Sequence, residues 1–240
     1  MRKVQDNLIY LDAASTTPIF DEIIEDVYEL HKNYFGNADS LHTMGQRVSS
    51  LVSSSRKQIA KYLNVLPHEV IFTSGGTESN VTAIKGIVFA DLSKKHIITS
   101  NIEHSSVSDT FDQLERVFGY EVDRLPVNDK GVVDPELLKR HLRDDTIVVA
   151  MMAINDEVGS IFPISEYARI IKKHSQAHFH VDGVQAFIKE PFSLKQVDTI
   201  SFSSHKIGGL KGSGILIKKS NVPFEPLIPG GQQEFGYRGG

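Results

Sequence analysis

Two hydrophobic periods divide the chain. Near the start, apolar residues recur at helical spacing: Ile23, Ile24, Val27 and Leu30, then Val48, Leu51, Val52, Ile59 and Leu63. This predicts two helices within 21–63, the second running from Gln46 to Leu63. Phe35-Gly36-Asn37-Ala38-Asp39-Ser40 reads as the break between them. From Glu69 onward the period shortens. Apolar runs at 70–73, 97–99, 120–125, 147–154, 178–181, 199–202 and 214–217 predict strands. Helix-like stretches intervene at 77–89, 105–118, 135–142 and 164–174. Strands and helices in alternation predict an α/β fold. Its central sheet is mostly parallel with helices on both faces, and an N-terminal helical segment precedes it. Residues 1–20 read as an arm and 21–240 as one large domain. The segment Gly230–Gly240 holds five glycines and no periodic element. It reads as a loose tail or as a chain stopped in mid-loop.

In a parallel α/β sheet, ligands bind at the carboxyl ends of the strands. Polar residues gather there. Gly75, Gly76 and Thr77 follow the first strand, and Glu103 and His104 the second. Asn155, Asp156 and Glu157 come after Ile154, Asp182 and Gln185 after Val181, and Ser203, Ser204, His205 and Lys206 after Phe202. The glycine turn is either an ordinary strand-to-helix turn capped by Thr77 or an anion cup at a helix N-terminus. Lys206 is either a loop lysine or a partly desolvated amine able to form a Schiff base. Asp182 is either a strand-end cap or a carboxylate that keeps a pyridinium nitrogen protonated. Together, a phosphate cup, an acid, a ring partner at His104 and a lysine are what pyridoxal phosphate (PLP) needs. His178, His180 and Asp182 share one strand face and raise a metal site as a rival. The expectation here is no metal, with His180 packed beside the cofactor strand. Gly208–Gly214 lacks P-loop spacing and reads as a turn into the last strand.

Composition narrows the classes. The 240 residues include no cysteine, so disulfides, cysteine–metal sites and a thiol nucleophile are excluded within them. A net charge of −4 leaves no electrostatic footprint for nucleic acid. The polar N-terminus is unlike a signal peptide, and no apolar run approaches the roughly 20 residues of a membrane helix. The expectation is a cytoplasmic protein that contacts neither membrane nor nucleic acid.

Several motifs occur in order: Tyr10-Leu11-Asp12-Ala13-Ala14-Ser15-Thr16-Thr17-Pro18, Phe35-Gly36-Asn37, and Phe72-Thr73-Ser74-Gly75-Gly76-Thr77-Glu78-Ser79-Asn80. Glu103-His104, Asn155-Asp156-Glu157-Val158-Gly159, His180-Val181-Asp182-Gly183-Val184-Gln185 and Ser201-Phe202-Ser203-Ser204-His205-Lys206 follow. With these motifs the chain resembles the NifS/IscS-like cysteine desulfurases, in the class V aminotransferase group of fold-type I PLP enzymes. The resemblance runs from Tyr10 to Gly240. It implies the large domain of a PLP-dependent transferase, with Lys206 bonded to the cofactor and later moving the Cα proton. His104 would stack on the ring and assist proton transfer, Asp182 would pair with the ring nitrogen, and Gln185 would bond the ring hydroxyl. Asn155 would lie near that hydroxyl and the substrate carboxylate. Gly76, Thr77, Ser203 and His205 would hold the phosphate.

The resemblance further implies L-cysteine as substrate, a homodimer, and a sulfur-accepting scaffold or tRNA-thiolating protein as partner. Two local departures stand out. Ser204 precedes His205-Lys206 where the family often has Gly, and Ile207-Gly208-Gly209-Leu210-Lys211-Gly212 replaces a more usual bulky-Gly-Pro-Lys-Gly pattern. The family's C-terminal part, with its substrate-binding Arg and sulfur-accepting Cys, has no counterpart among these residues. The chain alone is therefore expected to be incompetent as a desulfurase. Another class V lyase or aminotransferase, such as a selenocysteine lyase, and a non-catalytic PLP-binding module are the alternatives.

Overall fold

A computed structural model describes residues 9–190 and 193–240. The expected helices are α1 (Asp21–Asn33), α2 (Thr43–Leu63), α3 (Gly76–Ala90), α4 (Ser105–Phe118), α5 (Pro135–His141) and α6 (Ile164–His174). The strands are β1 (Val70–Thr73), β2 (His96–Ser100), β3 (Glu121–Leu125), β4 (Thr146–Met152), β5 (His178–Asp182), β6 (Thr199–Ser203) and β7 (Gly214–Lys218). Helix α2 begins earlier than its apolar period, because the His42 ring accepts a hydrogen bond from the Gly45 N–H and caps the helix at Thr43. It ends on Asn64 in the left-handed region at φ 53°. Pro135 opens α5, and the Asp134 carboxylate caps it by accepting from the Glu136 N–H. Ile154, expected to close β4, lies just beyond that strand in an isolated bridge to Ile161.

The strands form one sheet in the order β1-β7-β6-β5-β4-β2-β3. Pairing is parallel from β6 through β3, while β7 runs antiparallel to both of its neighbours. The reversal follows from the connection. A parallel crossover needs a dozen or more residues and usually a helix. The link 204–213 instead holds only a short 3₁₀ turn at Ser204–Lys206 and tight turns.

Alternation along the buried strands sends side chains to two cores. Val149, Met151, Phe179 and Val181 pack with Tyr167 and Ile171 of α6 and Leu138 of α5. Ile97, Val148 and Ala150 pack with Ile84, Ile87 and Val88 of α3 and Val107, Phe111 and Leu114 of α4. Helices therefore cover both faces, as a parallel sheet requires. The α1 helix is different, since none of its residues is buried.

The glycine-rich segment 230–240 corrects the sequence expectation of a loose tail. Its short 3₁₀ turn, Gln233–Gly236, carries Glu234 onto the edge of the sheet. Glu234 receives both guanidinium nitrogens of Arg56 at 2.7 Å and the Phe72 N–H at 2.8 Å. The same guanidinium donates to the Val70 carbonyl and lies 4.6 Å and 4.9 Å from the Phe72 and Phe235 ring centres. Arg238 in turn pairs with Glu78 at 2.9 Å. Side-chain ion pairs between distant segments anchor this stretch, and a hydrophobic period does not report them.

Candidate active site

The topology brings the ends of β1, β5 and β6 and the start of α4 to one edge. A cavity of about 270 Å³ opens there, lined by Gly76, Thr77, His104, Asp182, Gln185, Ser203, His205 and Lys206 among others. Eight of the nine residues singled out in the sequence thus meet around one space. Asn155 differs. It is buried, and both ends of its amide are bonded: Oδ1 accepts from the Glu157 and Val158 N–H groups of its own turn, and Nδ2 donates to the Ile102 carbonyl at 3.0 Å. Its neighbours Ile154 and Asp156 line the cavity instead.

The glycine turn decides one open question. Gly75 is the N-cap of α3 and makes no side-chain cap bond, while Thr77 lies inside the helix. The first N–H groups of α3 are therefore left without intrahelical acceptors, and Gly76 and Thr77 line the cavity. The close approach needs glycine. A Cβ on Gly76 would stand 2.6 Å from Val184 Cγ2, and one on Gly214 would stand 2.5 Å from the Gly75 backbone. Glu78 holds the turn by accepting from the Ser74 N–H at 2.9 Å. Burial works against its charge, but Arg238 and Ser74 outweigh it and hold the carboxyl below its usual range.

Opposite the cup, Asp182 ends β5 at 6% exposure. Oδ1 accepts from the Val184 N–H at 3.0 Å, and Oδ2 from Asn80 Nδ2 at 2.7 Å. Burial pushes its carboxyl above the usual range, against those two donors and nearby His104. A cation placed in the cavity would relieve that cost. His104 caps α4, with Nδ1 accepting from the Ser106 N–H at 3.1 Å.

The 3₁₀ turn after β6 presents His205 and Lys206. The Lys206 ammonium donates to the Ala14 carbonyl at 2.6 Å, and Gln185 Nε2 donates to the same oxygen at 2.8 Å. Thr17 is bound to the His205 carbonyl through both its N–H and its hydroxyl, each at 2.8 Å, so residues 14–17 form one wall. Burial pushes the His205 imidazole down, with Lys206 and Lys211 adding to the effect.

The rival metal site is not assembled. His180 faces the Thr199 hydroxyl at 2.9 Å through Nδ1 and Asn80 Oδ1 at 3.0 Å through Nε2, so both ring nitrogens are occupied. His178 lies 3.7 Å from Asp198, near the start of the strand. Among the described residues no group of three or more His, Cys, Asp or Glu is placed to hold a metal ion. None is in a helix long and apolar enough to cross a membrane.

Sequence reasoning gave no role to Asn80, Ser106, Ser15 and Met152, which also line the cavity. Asn80 stands in the quoted motif one helical turn after Gly76, the single signal that could have found it.

The family model for aminotransferase class-V matches residues 9–237. The chain belongs to that family. A NifS/IcsS protein homologue of Lactobacillus delbrueckii subsp. bulgaricus is 46% identical over 97% of this chain and 61% of its own length. The cysteine desulfurase IscS of Dictyoglomus turgidum is 43% identical over 97% of this chain and 59% of its own length. Among solved structures, a NifS-like protein superposes with a TM-score of 0.93 at 40% identity, covering 97% of this chain and 64% of that one. SspA in complex with cysteine reaches 0.92 at 33% identity, over 97% of this chain and 68% of that one. The chain thus spans about 60% of the length of the curated relatives it matches. Its mostly parallel sheet with helices is the fold of the NifS-like structures.

Proposed function

We propose that the chain is the PLP-binding large domain of a cysteine desulfurase. The observation that carries this reading is the meeting, in one cavity, of a helix N-terminus without a side-chain cap, a buried carboxylate and a lysine. That donor set fits a phosphorylated pyridine aldehyde. The N–H groups of Gly76 and Thr77, with Ser203 and His205, would hold the phosphate. Asp182 would face the ring nitrogen and Gln185 the ring hydroxyl, while His104 would lie against the ring. Lys206 would bond the aldehyde carbon and carry a proton to and from the substrate Cα.

When bound, the cofactor supplies an electron sink that makes the substrate Cα–H acidic and weakens the bond to sulfur. In the full reaction L-cysteine and a thiol become L-alanine and a persulfide. The substrate C–S bond breaks, a new S–S bond forms on the accepting thiol, and carbon takes up the proton. These residues contain no cysteine, so the thiol comes from outside them. The same reading includes a homodimer and a sulfur-accepting scaffold or tRNA-thiolating protein.

The test is an absorbance titration with PLP. The protein is expected to develop a visible band that Lys206→Ala abolishes. A protein that stays colourless at saturating PLP would overturn the reading and leave a shared fold only.

A further inference from the structure

Asn80 lies on α3 at 1% exposure, and its amide is bonded at both ends. Nδ2 donates to Asp182 Oδ2 at 2.7 Å and to Ser106 Oγ at 2.8 Å, while Oδ1 faces His180 Nε2 at 3.0 Å. A charged carboxylate only accepts, so the amide nitrogen must face Asp182 and the oxygen must face His180. His180 then carries its proton on Nε2 and accepts at Nδ1 from the Thr199 hydroxyl, 2.9 Å away. Burial pushes this imidazole down to about 3, which keeps it neutral. On the other branch, Ser106 Oγ accepts from Asn80 and passes its own hydrogen to His104 Nδ1 at 2.8 Å. The Ser106 N–H points at the same nitrogen. His104 therefore keeps its proton on Nε2. One amide sets a consistent direction for the whole network behind the cavity.

We propose that Asn80 is a positioning residue whose amide holds the Asp182 carboxylate charged and aimed into the cavity. The inference rests on the cofactor reading for what the carboxylate meets there, the cationic ring nitrogen. Asp182 is buried, and a carboxylate in that state prefers to be neutral unless donors hold it. Its two donors are the Val184 N–H and Asn80. The first is backbone, so Asn80 is the side-chain donor on this carboxylate among the described residues. The charges facing it are mixed. His104, at the start of α4, favours the anion through its charge only when its ring is protonated. Asp156, in the loop after β4, opposes it. Glu103, just before α4, is kept neutral mainly by burial, with the Asp182 charge adding to the effect. Lys206 and His205, after β6, line the same cavity, and His180 stands behind on β5 as a neutral ring.

The experiment follows the Asp182 carboxyl by carbon-13 NMR across pH in the PLP-free chain. Asn80→Ala removes a donor, and the midpoint is expected to rise by about one pH unit. Asn80→Asp nearly preserves shape but replaces the donor with a second acidic group, so the midpoint should rise further than in the alanine variant. A merely structural role predicts the opposite order, because alanine leaves a void and aspartate does not. An unchanged midpoint in both variants, or a smaller rise in Asn80→Asp than in Asn80→Ala, overturns the proposal. If Asn80→Ala does not fold, an unchanged midpoint in Asn80→Asp overturns it and a raised one supports it. A parent protein that fails to take up PLP while the midpoints keep the expected order overturns the cofactor reading, and the Asn80–Asp182 pairing stands.

Discussion

Glu103 shows how a single buried group sets a pH dependence. Its Oε1 accepts from the Ser100 hydroxyl at 2.5 Å and the Met152 N–H at 3.1 Å, while Oε2 has no partner among the described residues. Burial pushes the carboxyl from 4.5 up to about 8. Below pH 4.5 the folded and unfolded forms both carry the proton. Between there and about pH 8 the unfolded chain releases it and the folded chain keeps it, so stability falls as pH rises. Glu103→Gln removes this dependence. Urea unfolding at several pH values should show the variant gaining on its parent by about 1.4 kcal/mol per pH unit across that interval. A difference that stays constant with pH would contradict a neutral Glu103. Residue types at strand ends made much of the site legible, because charged and amide side chains there have few other uses. The network through Asn80 and Ser106 was not legible, since hydrogen-bond partners far apart in sequence leave no local pattern.

At the scale of elements, the cup depends on close packing between β7 and the turn after β1. Thr73 pairs with Gly214 in the register, and the Gly75 backbone lies where a Gly214 side chain would go. Backbone cannot swing aside as a flexible side chain can. Gly214→Ala is therefore expected to destabilise the fold by about 2 kcal/mol, read as a lower denaturation midpoint with an unchanged m-value. It should also weaken PLP binding, because the displaced turn carries the phosphate donors. A variant that unfolds at the parent's midpoint would show that the contact relaxes freely. The element boundaries were largely legible because apolar period reports burial directly. Two features escaped. Helix α2 starts at Thr43, where a histidine cap and not a hydrophobic residue decides. Strand β7 has the apolar run of a buried strand, but its direction is set by the connection before it.

At the scale of the whole molecule, the segment 228–240 is bound to elements remote in sequence. The Arg56–Glu234 pair has side chains only 9% and 11% exposed, with aromatic rings on the guanidinium. Removing one partner of a buried pair leaves an uncompensated charge and costs about 3 kcal/mol. Glu234→Ala should lower stability by that order and free the segment. Trypsin cleavage after Arg238, followed by mass spectrometry, is then expected to accelerate relative to the parent. An unaltered cleavage rate would mean that the Arg238–Glu78 pair alone holds the segment.

The sequence by itself determined the succession of strands and helices and the identity of the groups at the strand ends. Hydrophobic period and local chemistry are carried by neighbouring residues. Only the tertiary structure decided that β7 runs backwards, that the glycine-rich segment is clamped by Arg56, and that Asn155 gives its amide nitrogen to the Ile102 carbonyl. It also placed an asparagine between Asp182 and His180. Each of these depends on which side chains from distant segments satisfy one another when buried, and no local stretch of sequence contains that information.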